Sequence, residues 1–292
     1  MADFAAILTA FPALHLVSAT LLGLLVGSFL NVVILRLPVM LERQWQSEAS
    51  AVLGQEGPEP ATEPFNLAVP RSRCPQCGHT IRWYENIPCL SWLWLRGRCS
   101  QCGTGISPRY PMVEALTGAF SLAVALTLQP GLETLVWLAF FWALIALTFI
   151  DLDTQLLPDQ ITLPLLWAGL LASLLGLTGT GLQDSVIGAM AGYLSLWSVY
   201  HGFRLLTGKE GMGYGDFKLF AVFGAWFGWS ALPMIILLAS LVGALAGGLM
   251  ILLAGRDRQI PIAFGPYLCA AACVYYFWGE QLVSAYLNWA MA

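Results

Sequence analysis

The sequence predicts a polytopic α-helical membrane protein of about eight transmembrane helices with one small cytoplasmic domain. Of its 292 residues, 58% are hydrophobic and 10% are charged, whereas soluble domains carry about a quarter charged residues. The mean hydropathy of +0.71 agrees with a chain that lies mostly in a lipid bilayer. The net charge of −4 argues against nucleic acid as the main partner.

Eight apolar segments make up the predicted membrane domain, and most approach the roughly 20 residues that a helix needs to cross the hydrocarbon core. They cover approximately residues 11–35, 112–128, 132–150, 161–177, 185–206, 217–229, 232–254 and 262–287. The segment 217–229 is short and is followed by Pro233, so a re-entrant segment is the alternative to a full span. The first segment lacks the basic residues of a secretory signal and is predicted to be a retained membrane helix.

The basic residues predict which side of the bilayer each loop faces, because cytoplasmic loops carry an excess of Lys and Arg. If the N-terminus is outside and all eight segments span, the inside loops are 36–111, 151–160, 207–216 and 255–261. All 13 Lys and Arg residues lie in or beside these loops. The asymmetry therefore predicts that these four loops are cytoplasmic.

The loop 36–111 contains two Cys-x2-Cys pairs, Cys74/Cys77 and Cys99/Cys102, with 21 residues between them. This is the ligand pattern of a tetrahedral four-thiolate zinc site, and the glycine after each pair suits the tight turn of a zinc knuckle. Two disulfides or a redox motif are the alternatives, which a cytoplasmic location disfavours. Four thiolates leave no open coordination position, so the zinc is predicted to be structural.

The other cysteines and the histidine next to the first pair are predicted not to bind the metal. Cys89 is expected to be a buried apolar residue, Cys269 and Cys273 are expected to pack in a helix, and His79 is not expected to bind the metal. Residues 42–64 are acidic and rich in Pro, Gly and Ala, so they are predicted to form a flexible linker or a variable insertion.

Two aspartates lie at the edges of apolar segments on the same predicted side: Asp151 in "TFIDLDTQLLPDQIT" and Asp216 in "GMGYGDFKLF". Ionisable groups at such positions are costly and indicate function. Pro158 predicts that 151–158 is a loop, so a solvated helix-end carboxylate is the alternative for Asp151. Asp153 is expected to be solvated, and Asp159 is expected to cap the next helix.

Glycines precede the second aspartate at Gly211, Gly213 and Gly215. A glycine-rich turn at a helix start is able to bind phosphate, but Asp216 would repel an anion there. The glycines more plausibly allow an extended peptide to lie beside the carboxylate. Peptide hydrolysis needs a base for water and an acid for the leaving nitrogen, and two close carboxylates that share a proton supply both.

Motifs along most of the chain resemble those of bacterial type IV prepilin peptidases/N-methyltransferases, a family of GxGD aspartyl proteases. The motifs that carry the resemblance, besides the two cysteine pairs, are "GSFLNVVILRLP" (27–38), "WYENIPCLSWLWLRGRC" (83–99), "SPRYPMVEALTG" (107–118), "IDLDTQLLPD" (150–159), "GMGYGDFK" (211–218) and "IAFGPYL" (262–268). Their order and spacing together make the resemblance specific.

The resemblance implies that Asp151 and Asp216 are catalytic, that Gly213 and Gly215 belong to the active-site loop, and that the four cysteines bind zinc. It implies three parts: a first transmembrane helix (1–36), a cytoplasmic zinc-binding domain with the acidic linker (37–111), and a multi-helix transmembrane protease domain (112–292). The implied location is the bacterial inner membrane, with the active site facing the cytoplasm.

The implied reactions are cleavage of the leader from type IV prepilins and pseudopilins after a glycine, and N-methylation of the new first residue by S-adenosylmethionine. The methyl-donor site stays unassigned, because no strand is followed by a G-x-G-x-x-G turn. Polar candidates in the cytoplasmic domain are Glu85, Asn86, Arg96 and Arg98. The particular substrates and the oligomeric state do not follow from the sequence.

Three other functions are alternatives to this one. A transporter would use Asp151 and Asp216 as cation sites, but such proteins favour broken helices at mid-membrane and inverted repeats. A membrane-tethered zinc module would bind a partner or nucleic acid. A different GxGD intramembrane protease would cut inside the membrane and would not need the cysteine loop.

Overall fold

The computed structural model describes residues 7–54, 64–254 and 263–291, with the backbone alone for 250–254. These residues are mainly helical, with two isolated β-bridges and no longer strand among them. The chain divides into two compact units, and the boundary lies between Ala146 and Leu147. The predicted inside loop 255–261 lies outside the described residues.

Nine α-helices of five or more residues are described. In chain order they are α1 (Pro12–Leu53), α2 (Leu90–Trp94), α3 (Arg109–Thr127), α4 (Leu132–Thr154), α5 (Asp159–Leu174), α6 (Leu182–Thr207), α7 (Tyr214–Phe227), α8 (Leu232–Ala254) and α9 (Gly265–Met291). Two 3₁₀ turns, Trp83–Asn86 and Trp229–Ala231, lie between them. The prediction of a polytopic helical membrane protein is confirmed.

Four described helices are long and apolar enough to cross a membrane. They cover Pro12–Leu53, Arg109–Thr127, Leu132–Thr154 and Trp229–Leu249. The predicted count of eight spans is not confirmed, since α5 has 16 residues and α7 has 14, against the roughly 20 that a span requires. Ten of the 14 residues of α7 are buried, which is typical of a helix enclosed by other helices.

Two helices extend further than the sequence predicted. Residues 42–53 continue α1, so the prediction of a flexible linker is wrong there, while residues 55–63 lie outside the described part. No Gly or Pro occurs between Glu42 and Leu53, and Gln44 donates to Glu48 at 2.8 Å one turn later. Gly54 ends the helix with a left-handed φ of +63°. Similarly, α4 continues to Thr154 where a loop from residue 151 was predicted.

Small residues bring helices close together inside each unit. Gly23 and Gly27 of α1 lie against α3, where a Cβ atom on Gly27 would come within 2.7 Å of Glu114 Cα. In the second unit, Gly188 of α6 and Gly224 of α7 each lie against the other's carbonyl, so neither has room for a Cβ atom. Close backbone approach at small residues is typical of helix packing in membranes. This contact fixes α7, which carries Asp216.

Candidate functional site

The two aspartates singled out in the sequence are buried in the second unit. Asp151 lies in the last turn of α4 and is 5% exposed, and Asp216 lies in the first turn of α7 and is 8% exposed. The neighbouring Asp153 is exposed. The alternative of a solvated helix-end carboxylate at Asp151 is therefore wrong. Buried carboxylates are costly unless they are paired or serve a function.

The structure brings these two carboxylates together from positions 65 residues apart (216 − 151). The charge of Asp151 acts on Asp216, and the Cys269 thiol of α9 interacts electrostatically with both. Asp151 Oδ2 and Asp216 Oδ1 are buried and make no hydrogen bond to described residues. Two buried carboxylate oxygens without donors are able to accept protons from water or a substrate.

Asp216 is held by the start of its own helix. It is the third residue of α7, and the backbone N–H of Gly213, the residue before the helix, donates to its carboxylate. A helix N-terminus favours a carboxylate in this position through its free N–H groups and its dipole. The local sequence therefore fixes Asp216 Oδ2 near Gly213 and leaves Oδ1 for other partners.

Gly215, which the sequence singled out, and Leu157 and Gly265, which it did not, pack around the aspartates. A Cβ atom on Gly215 would lie 2.8 Å from Leu157 Cβ, and one on Gly265 would lie 2.5 Å from Asp151 Oδ2. The Gly265 backbone N–H also donates to the Asp151 carboxylate. A Cβ atom on Gly215 would clash with Leu157 close to its backbone, and one on Gly265 would displace the Asp151 carboxylate. Gly265 lies in the motif "IAFGPYL", which is the sequence feature that could have identified it as a site residue.

An ion pair joins the starts of α5 and α7 next to the aspartates. Lys218 Nζ lies 2.6 Å from Asp159 Oδ1 and 2.7 Å from Asp159 Oδ2. Asp159 was predicted to cap α5, but Pro158 holds the capping position and the Asp159 side chain pairs with Lys218 instead. Both side chains are partly exposed, so the pair contributes at most about 1 kcal/mol to stability.

The four cysteines of the two pairs form one cluster in the first unit, with all four Sγ atoms within 4.8 Å of one another. The Sγ–Sγ distances are 3.7 Å for Cys74–Cys102 and 4.0 Å for Cys77–Cys99. A tetrahedral site with Zn–S bonds of about 2.3 Å has Sγ–Sγ edges of about 3.8 Å, whereas a disulfide bond measures about 2.05 Å. The cluster is shaped to hold a metal ion.

The two pairs have the same backbone structure. Cys74 N–H donates to the His79 carbonyl and Gly78 N–H to the Cys74 carbonyl, at 2.8 and 2.9 Å. In the second pair, Cys99 N–H donates to the Thr104 carbonyl and Gly103 N–H to the Cys99 carbonyl, at 2.8 and 3.0 Å. Gly78 and Gly103 have left-handed φ values of +70° and +71°. Each pair thus forms the same knuckle turn, in which the left-handed position favours glycine.

Comparisons with known proteins identify the family. Residues 21–128 match the model of the bacterial peptidase A24 N-terminal domain, and residues 138–248 match that of the type IV leader peptidase family. The chain belongs to the type IV leader peptidase family. No solved structure matches it significantly.

Curated relatives in this family match nearly the whole chain. A protein of Aeromonas salmonicida is 57% identical over 278 residues, which are 95% of each chain. One of Pseudomonas aeruginosa is 51% identical over 287 residues, 97% of each chain, and one of Dichelobacter nodosus is 51% identical over 266 residues, 90% of this chain and 91% of the relative. Each is named a prepilin leader peptidase/N-methyltransferase.

The A24 N-terminal match contains the cysteine cluster, and a half-buried acid next to the cluster links its two knuckles. Ser100 Oγ donates to Glu85 Oε1 at 2.5 Å, and Glu85 Oε2 accepts the Arg82 N–H at 2.8 Å. These two donors lower the pKa of the Glu85 carboxyl to about 2. His79 Nε2 lies 3.1 Å from Glu85 and is not among the clustered ligand atoms. Glu85 is therefore a structural anion.

The surroundings of Cys89 differ from the prediction that it is a buried apolar residue. It is half-buried, has a φ of +59°, and its N–H donates to Glu114 Oε2 at 2.7 Å. Its Sγ lies 3.5 Å from the Pro111 carbonyl. Cys89 therefore fixes the start of α2 to the start of α3 rather than filling a core. Cys269 is buried in α9, as predicted.

Proposed function

We propose that the protein is a prepilin leader peptidase and N-methyltransferase. It cleaves the leader of type IV prepilins and pseudopilins and then methylates the new N-terminal residue. Membership of the type IV leader peptidase family and the names of its relatives support both activities. The observation that carries the proteolytic half is the pair of buried carboxylates with two oxygens left without hydrogen-bond donors.

In the proposed cleavage, Asp151 and Asp216 share one proton. The ionised carboxylate removes a proton from water, and the resulting hydroxide attacks the carbonyl carbon of the scissile peptide. The protonated carboxyl group donates its proton to the leaving nitrogen as the C–N bond breaks. Asp151 Oδ2 and Asp216 Oδ1 are the oxygens available for these transfers. A Cβ atom on Gly213 would lie 3.6 Å from Asp216 Oδ2, so a glycine there leaves this side of the carboxylate uncovered, and Gly215 makes room for Leu157.

The proposed location is the bacterial inner membrane, with the active site on the cytoplasmic face. The distribution of Lys and Arg supports this orientation. A prepilin has an apolar N-terminal helix, so its leader meets the membrane where that helix begins. Asp151 and Asp216 lie at the ends of apolar helices rather than at their centres, which suits a scissile bond at the membrane edge.

The cysteine cluster is proposed to hold a structural Zn²⁺ through Cys74, Cys77, Cys99 and Cys102. The Sγ spacing and the paired knuckle turns fit a closed tetrahedral site. Zinc bound there would stabilise the fold of the surrounding loops. The proton transfers of cleavage are assigned to the aspartates.

A transporter function has no comparable support. A cation site needs several oxygen ligands, whereas Leu157, Gly265 and Cys269 surround the aspartates. Within the described residues, the four cysteines are the only side chains grouped as metal ligands.

The proposed function is tested by incubating the purified full-length protein with a prepilin and S-adenosylmethionine in lipid vesicles. Mass spectrometry of the substrate should show loss of the leader and one added methyl group at the new N-terminus. An uncleaved precursor would contradict the peptidase assignment. A cleaved product that stays unmethylated with the methyl donor present would contradict the methyltransferase assignment.

Gly265→Ala is expected to slow leader cleavage by about tenfold to a hundredfold, because the new methyl group would displace the Asp151 carboxylate. Initial rates of cleavage measure the effect. Gly202→Ala in α6 is the matched control, since a Cβ atom there meets nothing within 4 Å. Equal rates for the two variants would show that leader cleavage does not depend on the contact between Gly265 and the Asp151 carboxylate.

A further inference from the structure

A cleft of about 480 Å³ lies in the first unit, away from the aspartates in sequence. Helix α1 contributes Asn31 and Arg36, and helix α3 contributes Glu114. The knuckle region, residues 64–108, contributes Trp92 and Ile106. Pockets that enclose small molecules measure about 300–1,000 Å³ and combine apolar walls with a few polar groups. The cleft fits this description, and leader cleavage gives it no role.

One of the buried polar groups of the cleft is a carboxylate with neutral partners. Glu114 is 8% exposed, and it accepts hydrogen bonds from the Cys89 N–H and the Ser28 hydroxyl. Among the described residues, no Lys, Arg or His forms an ion pair with it. A buried carboxylate is costly without a cation. The cleft therefore suits a ligand that carries positive charge.

The walls add an opposite charge and aromatic surface. Arg36 is half-buried in the wall, where it donates to the Asn66 and Pro70 carbonyls at 2.9 and 2.6 Å. The Trp92 ring is fixed by a 3.1 Å hydrogen bond from its Nε1 to the Ile106 carbonyl. The lining also contains Arg73 and Glu85, so the cleft combines carboxylates, guanidinium groups and a fixed indole. These groups match a ligand with cationic, carboxylate and heteroaromatic parts.

We propose that this cleft binds S-adenosylmethionine and that Glu114 is the anion that pairs with its positive charge. The assignment rests on the methyltransferase half of the proposed function. S-adenosylmethionine carries a sulfonium, an ammonium, a carboxylate and an adenine ring. Glu114 meets the cationic part, Arg36 the carboxylate, and Trp92 offers a surface for the adenine.

The reaction at this site balances with the two substrates alone. The neutral N-terminal amine of the cleaved substrate attacks the methyl carbon. The new N–C bond forms as the S–C bond breaks, and sulfur keeps the bonding electron pair, which gives S-adenosylhomocysteine. The methylated amine then releases one proton to water.

The test measures binding directly on the purified full-length protein. Glu114→Gln keeps the size of the side chain and removes its charge. It should weaken binding of labelled S-adenosylmethionine at least about tenfold in equilibrium dialysis, and leave the rate of leader cleavage unchanged. Glu114→Asp keeps the charge and should recover part of the affinity. Glu133→Gln, the same change at an exposed position outside the cleft, is the matched control and should bind normally.

A second variant covers the case in which Glu114→Gln does not fold and so loses cleavage as well. Leu35→Trp places a large ring in the cleft from a residue that is 47% exposed, so folding does not depend on its packing. It should cleave normally and fail to bind the methyl donor. Normal affinity in Leu35→Trp, or in a Glu114→Gln protein that cleaves, would overturn the assignment. A wild-type protein that cannot methylate would instead refute the proposed function.

Discussion

Asp151→Asn and Asp216→Asn are each expected to lower the rate of leader cleavage by about a thousandfold or more. Asparagine has nearly the same shape as aspartate, so the packing of α4 and α7 around it should persist. It cannot share a proton with the remaining carboxylate, and therefore one of the two proton transfers is lost. Initial rates with a purified prepilin measure the effect.

Asp153→Asn is the control for this experiment, because it makes the same change two residues along α4 at an exposed position. It should cleave at the rate of the unmodified protein. A second control supplies a substrate from which the leader has already been removed. Asp151→Asn and Asp216→Asn should both still methylate it, since the proposed methyl-donor cleft is built from other residues. Cleavage at the unmodified rate by Asp151→Asn or by Asp216→Asn would refute the aspartyl mechanism.

The sequence was sufficient for the fold class, and it singled out the aspartates and cysteines that form the two candidate sites. Long apolar segments predict membrane helices from local composition alone, and the Cys-x2-Cys spacing predicts a metal site because both ligand pairs are local. Asp151 and Asp216 stood out because carboxylates are rare at the ends of apolar segments. Each of these inferences needs a window of about 20 residues or fewer.

The remaining features depend on contacts between segments far apart in the chain. Nothing near Gly265 in the sequence indicates that its Cβ position meets Asp151, more than a hundred residues earlier (265 − 151 = 114). The cleft beside Glu114 likewise needs α1, α3 and the knuckles together. Local rules also failed where a helix continued past its apolar part. Residues 42–53 are polar but contain good helix formers, so α1 extends through them.

Replacing one cysteine of the cluster is expected to have the second large effect. The metal and the fold of the knuckle region should be lost together. The purified protein should contain one zinc ion per chain by elemental analysis, and Cys77→Ala should reduce it to background. Structural zinc contributes about 10–16 kcal/mol in zinc-finger peptides, far more than a core as small as the knuckle region supplies. Residues 64–108 should then become sensitive to proteases.

Cys77 is the informative ligand to replace because its side chain is exposed, so alanine removes the thiolate without opening a cavity. Cys273→Ala is the matched control from α9, outside the cluster, and should keep its zinc. Methylation should fall with the metal, since the knuckles form one wall of the cleft, while cleavage should fall less, because both aspartates belong to the other unit. Zinc that remains bound in Cys77→Ala, or thiols that resist alkylation until a reductant is added, would favour disulfides over a metal site.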